Sequence, residues 1–296
     1  MNLMNNWTQL NEQVQIAHIS SVDIGNKIYL KKWKNSEVAE TIFILFHDLC
    51  QYHGSFNSFV NWALSHFTNI EIYAIDYVGH GLSSGTRGHI EEFENLILDQ
   101  KKIIESLHFE SSQNIYYFGH GLGGLVTLDF YNRYGQQLKN PPKGMILSNF
   151  ILNLDHPLFH FKGTNSLLVS KFFQRLRFGN IFESTNLTTD KVKAIDLEQD
   201  PLMHFNPTLN SIAEVKKRTQ SIYQDSYYID IPVMIVSCDQ DQYIFTKGMK
   251  YFVKGVRKEL IFEKKYSNMK HDLYNELDSD IFFNDVKMWI NKNENL

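Results

Sequence analysis

Ile115-Tyr116-Tyr117-Phe118-Gly119-His120-Gly121-Leu122-Gly123-Gly124 runs from an apolar, aromatic strand into a glycine-bounded sharp turn, and Leu125, Val126 and Leu128 then begin a helix. This is the strand-turn-helix context in which a G-x-S-x-G motif presents a reactive serine. Here the five residues read G-H-G-L-G, with Gly121 at the serine's place. The small residues Gly119, Gly123 and Gly124 let the turn close and the helix approach the sheet, so the scaffold of such a site is present without its reactive oxygen.

Working outward, short β-rich runs occur at Ile42 to Phe46, Ile70 to Ile75, Met145 to Leu147, Pro232 to Val236 and Leu260 to Phe262. Together with Ile115 to Phe118 they read as buried parallel strands. Between them lie helical patterns, one carried by Phe93, Leu96, Ile97, Ile103, Ile104 and Leu107, another by Ile281, Phe282, Val286, Trp289 and Ile290. Alternating strand and helix signals predict an α/β fold with a mostly parallel central sheet flanked by helices. Regular strand signal stops from about Asn149 to Tyr228. The expected organisation is therefore a core of residues 1–148 and 229–296 with an inserted helical cap at 149–228.

Composition narrows the function classes. The chain has 296 residues, 43% of them hydrophobic, which is enough to bury a sizeable core. A net charge of -4 and the absence of any nucleic-acid motif argue against a nucleic-acid partner, whose phosphates require clustered Lys and Arg. No basic leader followed by an apolar stretch opens the chain, and no apolar run approaches the roughly 18 residues needed to span a bilayer. A cytoplasmic location is expected. Cys50 and Cys238 are too few for a disulfide framework and form no CxxC pair, so neither a metal nor another cofactor is expected.

At this point the chain resembles the α/β-hydrolases of the monoacylglycerol lipase and lysophospholipase type, the serine aminopeptidase S33-like group. The resemblance covers nearly the full length. It rests on His47 with its loop to His53-Gly54, on Asp76-Tyr77-Val78-Gly79-His80-Gly81-Leu82-Ser83-Ser84-Gly85, on the Gly119 to Gly123 turn, on Asp200-Pro201-Leu202, and on Asp241 and His271 in late loops. It implies that Gly121 occupies the nucleophile position with the serine lost, that Asp241 is the acid, and that His271 is the general base. The chain order of turn, Asp, His is the order of that fold. It also implies an oxyanion hole built from the backbone N–H groups of Leu49 and Leu122. The Asp76 to Gly85 turn is expected to be architectural, and Asp200-Pro201 to fix the end of the cap.

Three departures from the family pattern bear on chemistry. Losing a triad nucleophile typically costs about 10⁶-fold in turnover. Asp48 stands between His47 and Leu49 where the family usually has glycine, and Cys238 replaces the glycine of the acid loop. A carboxylate within about 5 Å of a developing oxyanion would oppose it by roughly 3 kcal/mol at an effective dielectric of about 20, whereas one turned to solvent would be screened. Both readings of Asp48 stand at the sequence level. Cys50 is a conceivable substitute thiol, although nothing local lowers its pKa.

The cap speaks to the ligand. Asn165 to Phe178 reads as a basic amphipathic helix with Leu167, Leu168, Val169, Phe172, Phe173 and Leu176 on one face and Lys171 and Arg175 on another. It fits a lid over an acyl pocket with peripheral membrane contact, or a helix simply packed on the core. Phe159, Phe161 and Phe182 add aromatic lining. The expected function is an impaired glycerolipid hydrolase that keeps a pocket for an acyl glycerol or lysophospholipid-like molecule. The alternatives are an active carboxylic-ester hydrolase whose serine was replaced or is bypassed, and a protein-interaction scaffold.

Overall fold

The computed structural model describes residues 7–152, 174–177, 181–243 and 246–294. Its described strands are β1 (Thr8–Asn11), β2 (Val14–Ser20), β3 (Lys27–Lys34), β4 (Thr41–Phe46), β5 (Ile70–Ile75), β6 (Asn114–His120), β7 (Gly144–Ser148), β8 (Val233–Cys238) and β9 (Ile261–Tyr266). They form one sheet in the order β1-β2-β3-β5-β4-β6-β7-β8-β9. From β5 to β9 every neighbouring pair is parallel, and β1, β2 and β3 extend the β5 edge as an antiparallel meander.

Each apolar run read from the sequence is a strand, because a parallel sheet covered on both faces needs continuous hydrophobic strands. All six residues of β4 are buried. Alternation then sends neighbours to opposite layers. Ile42, Ile44, Phe46, Ile115 and Tyr117 pack with helices α2 (Phe93–Ser106) and α3 (Leu122–Tyr134), while Phe43, Leu45, Tyr116 and Phe118 pack with α1 (Asn57–His66) and the C-terminal helix Ser279–Glu294. The meander left no such signal. Strand β1 is wholly exposed and β3 carries four lysines.

Between β7 and β8 the described elements are α4 (Ser184–Leu187), α5 (Lys191–Gln199), α6 (Leu209–Thr219) and a 3-10 helix (Ile222–Tyr228), with an isolated β-bridge from Arg177 to Thr208. The expected amphipathic helix from Asn165 to Phe178 falls mostly outside the described residues, as do Phe159 and Phe161; residues 174–177 form a turn leading into that bridge. Tyr52 donates to Asp200 Oδ2 at 2.6 Å, tying this segment to the loop after β4. No helix of the described residues is long and apolar enough to cross a membrane.

The turn after β5 is held by Asp76, which is fully buried. Its carboxylate accepts from the backbone N–H groups of His53 and Leu82 at 2.7 and 2.8 Å and from His53 Nδ1, and its carbonyl accepts from Ser83 Oγ at 2.6 Å. These contacts are structural.

Helix α3 lies directly on the end of β4. A methyl group at Gly123 would sit 1.8 Å from the carbonyl oxygen of Phe46 and 2.8 Å from that of His47, both backbone atoms that a rotamer change cannot move aside. Gly123→Ala is therefore expected to destabilise the chain by about 3 kcal/mol or more through overpacking. Urea unfolding measures it, and an unchanged midpoint would show that α3 can slide without cost.

Candidate active site

Strand β6 delivers the chain to Gly121, whose backbone sits at φ +53° and ψ -116° before α3 begins at Leu122. L side chains rarely adopt a positive φ, so glycine holds this turn without strain. The turn is fastened by Gly121 N–H to the Ser148 carbonyl at 3.0 Å, and by Gly124 N–H and Ile151 N–H to the Gly121 carbonyl at 3.2 and 3.1 Å. Leu49 and Leu122, the two oxyanion-hole candidates, are both buried.

Asp241 follows β8 and His271 follows β9. His271 Nδ1 lies 2.8 Å from Asp241 Oδ2, so the structure brings the sequence-predicted acid and base together. Asn149 joins their loops: its amide nitrogen donates to the His271 carbonyl at 2.6 Å and to Cys238 Sγ at 3.0 Å, and its oxygen accepts from Cys238 N–H at 3.1 Å. Tyr243 packs edge-on against the His271 ring and against Phe182.

The structure decides between the two readings of Asp48. Its carboxylate is buried beside the turn: Oδ1 accepts from Leu122 N–H, and Oδ2 lies 2.9 Å from His271 Nε2. The acceptor site at the N-terminus of α3 is thus filled by the chain's own anion, which the helix dipole favours. The departures at positions 48 and 121, which look separate in the sequence, are coupled in space. A Cβ at Gly121 would lie 2.0 Å from Asp48 Cγ and Oδ1 and 2.5 Å from Oδ2. The carboxylate occupies the volume that a side chain at 121 would need.

The electrostatics follow from this packing. Burial opposes charge on the His271 ring, but Asp241 and Asp48 on its two nitrogens outweigh it and hold the pKa well above the ordinary imidazole value. Burial likewise pushes the Asp48 carboxyl up, and His271, His120 and the Leu122 N–H together bring it below the ordinary value. The packing therefore favours the charged forms of His271 and Asp48. Cys50, by contrast, is driven well above the usual thiol range, first by burial and then by Asp48, so it supplies no thiolate.

Sequence reasoning missed His120 and Asp272. His120 Nε2 lies 2.9 Å from Asp272 Oδ1 and Nδ1 lies 3.2 Å from Ser148 Oγ, with the His120 and His271 rings 4.6 Å apart. Gln51 steadies Asp272 at 2.9 and 3.1 Å. The local signal was the adjacency of Asp272 to the expected base and of His120 to the turn, which only the convergence of β6 and β9 loops turns into a contact.

The sheet order, the helix pairs on its two faces, and an aspartate paired with a histidine on successive late loops are those of an α/β-hydrolase fold. The chain belongs to the serine aminopeptidase S33 family, whose model matches residues 37–278. It is 23% identical over 275 residues to the monoacylglycerol lipase of Mycolicibacterium smegmatis, covering 90% of this chain and 93% of that one. It is 24% identical over 222 residues to an uncharacterized abhydrolase domain-containing protein of Dictyostelium discoideum, spanning only 23% of that longer protein. The crystal structure of a soluble variant of monoglyceride lipase from Saccharomyces cerevisiae, in complex with a substrate analog, superimposes with a TM-score of 0.77 at 21% identity over 99% of this chain and 98% of that one. The chain is a monoglyceride lipase-like α/β-hydrolase by family.

Proposed function

We propose that this protein is a catalytically impaired descendant of a glycerolipid hydrolase, with Gly121 at the vacated nucleophile position, that binds an acyl glycerol or lysophospholipid-like molecule without turning it over. The observation that carries this reading is the Asp48 carboxylate, seated on Leu122 N–H and His271 Nε2. It acts in two ways. An anion already fills the place where a substrate oxyanion would have to develop, and the two acidic side chains on its nitrogens favour the protonated form of the base. An imidazolium cannot take a proton from water, so hydrolysis by a water in place of the serine is also suppressed.

The lipid half of the proposal rests on the family's lipases and on the apolar wall beside the site. Tyr52, Leu187, Leu197 and Met203 form a buried cluster with Leu202, Phe205 and Tyr243, between the loop after β4 and the segment preceding β8. We read residues 149–228 as the cap over that wall.

The test pairs binding with turnover. Purified protein incubated with radiolabelled monooleoylglycerol is expected to retain about one lipid per chain on gel filtration. Its turnover should be on the order of 10⁻⁵ s⁻¹ or less, which is a typical enzyme rate reduced by the cost of a missing nucleophile. Steady turnover near 1 s⁻¹ would overturn the impairment, and failure to retain lipid would leave an interaction scaffold as the better reading.

A further inference from the structure

We propose that the two histidines and the carboxylate gathered at this site, His120, His271 and Asp48, form a binding site for a divalent transition-metal ion of the zinc class. One ligand atom from each of the three lies within 4.8 Å of the others, and all three residues are buried. A tetrahedral zinc site with bonds of about 2.0–2.2 Å sets its ligand atoms roughly 3.3 Å apart. The longest separation therefore has to close by no more than about 1.5 Å. His271 Nε2 and Asp48 Oδ2 already lie 2.9 Å apart, so the closure falls on His120, whose ring would pivot about its Asp272 contact and release only a neutral hydroxyl at 3.2 Å from Nδ1.

Two further features point to a cation. The first is orientation, because metal-bound histidines commonly present their second nitrogen to a carboxylate or other polar group that fixes the ring. Asp241 holds His271 in this way at 2.8 Å, leaving Nε2 toward Asp48, and Asp272 holds His120 at 2.9 Å. The second is charge. Asp48, Asp241 and Asp272 bring three carboxylates into a space where each side chain is at most 4% exposed, against the imidazoles of His271 and His120. A divalent ion on the inner edge of both rings replaces the proton now shared by His271 Nε2 and Asp48 Oδ2. Asp48 Oδ1 stays on Leu122 N–H throughout.

The donor set selects the ion. Two imidazole nitrogens and one carboxylate oxygen suit zinc, cobalt or nickel, whereas magnesium and calcium prefer all-oxygen surroundings. Three protein ligands leave a fourth position open for water.

This inference is independent of lipid binding and is tested without an activity readout. Isothermal titration of the metal-free protein with ZnCl₂ is expected to show one site per chain with micromolar or tighter affinity, unaffected by excess Mg²⁺. Asp48→Asn and His271→Gln should each weaken it at least 100-fold, while His18→Ala, on the exposed part of β2, leaves it unchanged. Circular dichroism confirms that each variant folds. Co²⁺ substitution gives a second measurement, a visible absorption band of tetrahedral intensity that Asp48→Asn abolishes. Absence of a site tighter than about 100 μM in the wild-type chain, or affinity and spectrum that survive both Asp48→Asn and His271→Gln, would overturn the proposal.

Discussion

Gly121→Ser by itself leaves the protein inert toward monoacylglycerol and p-nitrophenyl esters, whereas Gly121→Ser combined with Asp48→Gly gains turnover by at least about 10³-fold over the single variant. The reason is steric before it is chemical. A Cβ at position 121 would lie 2.0 Å from the Asp48 carboxylate, which cannot retreat without abandoning Leu122 N–H and His271 Nε2. Breaking such a buried, hydrogen-bonded pair costs about 3–5 kcal/mol, and a serine at φ +53° adds about 1–3 kcal/mol of backbone strain. The single variant is therefore less stable than the starting protein as well as inactive. Removing the carboxylate together with the glycine vacates the volume, frees the Leu122 donor and returns His271 to a pairing with Asp241 alone. The two substitutions are strongly non-additive, and the four corners of the double-mutant cycle measure the coupling. If Gly121→Ser alone hydrolyses esters as fast as the double variant, Asp48 swings aside freely and does not block the site. If the double variant folds and stays inert, the loss of function has spread beyond these two residues.

Stability against pH should peak between about pH 6 and 7, and the two flanks have different owners. On the alkaline side the owner is His271, whose folded pKa is raised by Asp241 and Asp48 against the opposing effect of burial. A raised imidazole pKa contributes stability that is complete below the unfolded value of about 6.5 and is lost as pH rises toward the folded value. Across that window the folded state holds one proton more than the unfolded chain, so unfolding free energy falls by up to about 1.4 kcal/mol per pH unit. On the acid side the owners are His47, His80 and His204, whose pKa values are depressed chiefly by burial, that of His204 to about 4. Their contribution is complete above about pH 6.5 and is lost as pH falls, because the unfolded chain takes up protons that the folded rings refuse.

Urea unfolding from pH 5 to 9 gives the profile, and Asp48→Asn isolates the alkaline flank. The amide still accepts from Leu122 N–H but removes one of the two charges on His271, so the slope between pH 7 and 8 should become shallower. That interval lies below the unfolded thiol pKa of about 8.5, where the raised values of Cys50 and Cys238 begin to add a loss of their own. An identical slope in wild type and Asp48→Asn would show that Asp48 does not hold the proton on His271.

Most of the fold was legible in the chain because buried parallel strands write themselves as continuous apolar runs and amphipathic helices as a 3.6-residue period. β4 to β9, α2, α3 and the C-terminal helix were all readable on those grounds. β1 to β3 were not, since their apolar residues form no continuous run: the edge strand β1 has no buried residue, and four lysines interrupt β3. Asp241 and His271 were found from motif order and position after strands, and the structure places them 2.8 Å apart. His120 and Asp272 were passed over because each looks like an ordinary loop residue until the chain folds positions 152 apart into contact.

What the sequence determined by itself is the strand-turn-helix frame around Gly121, the glycine at its centre, and the aspartate and histidine in the loops after β8 and β9. These are facts of local pattern and residue identity. Where the Asp48 carboxylate points was decided only by the tertiary structure, since Asp48 and Leu122 lie 74 positions apart and nothing in either neighbourhood reports the other. The direction of one side chain depends on which donors converge on it after the sheet has closed. That convergence makes Asp48 the occupant of the volume beside Gly121 rather than a solvated loop carboxylate.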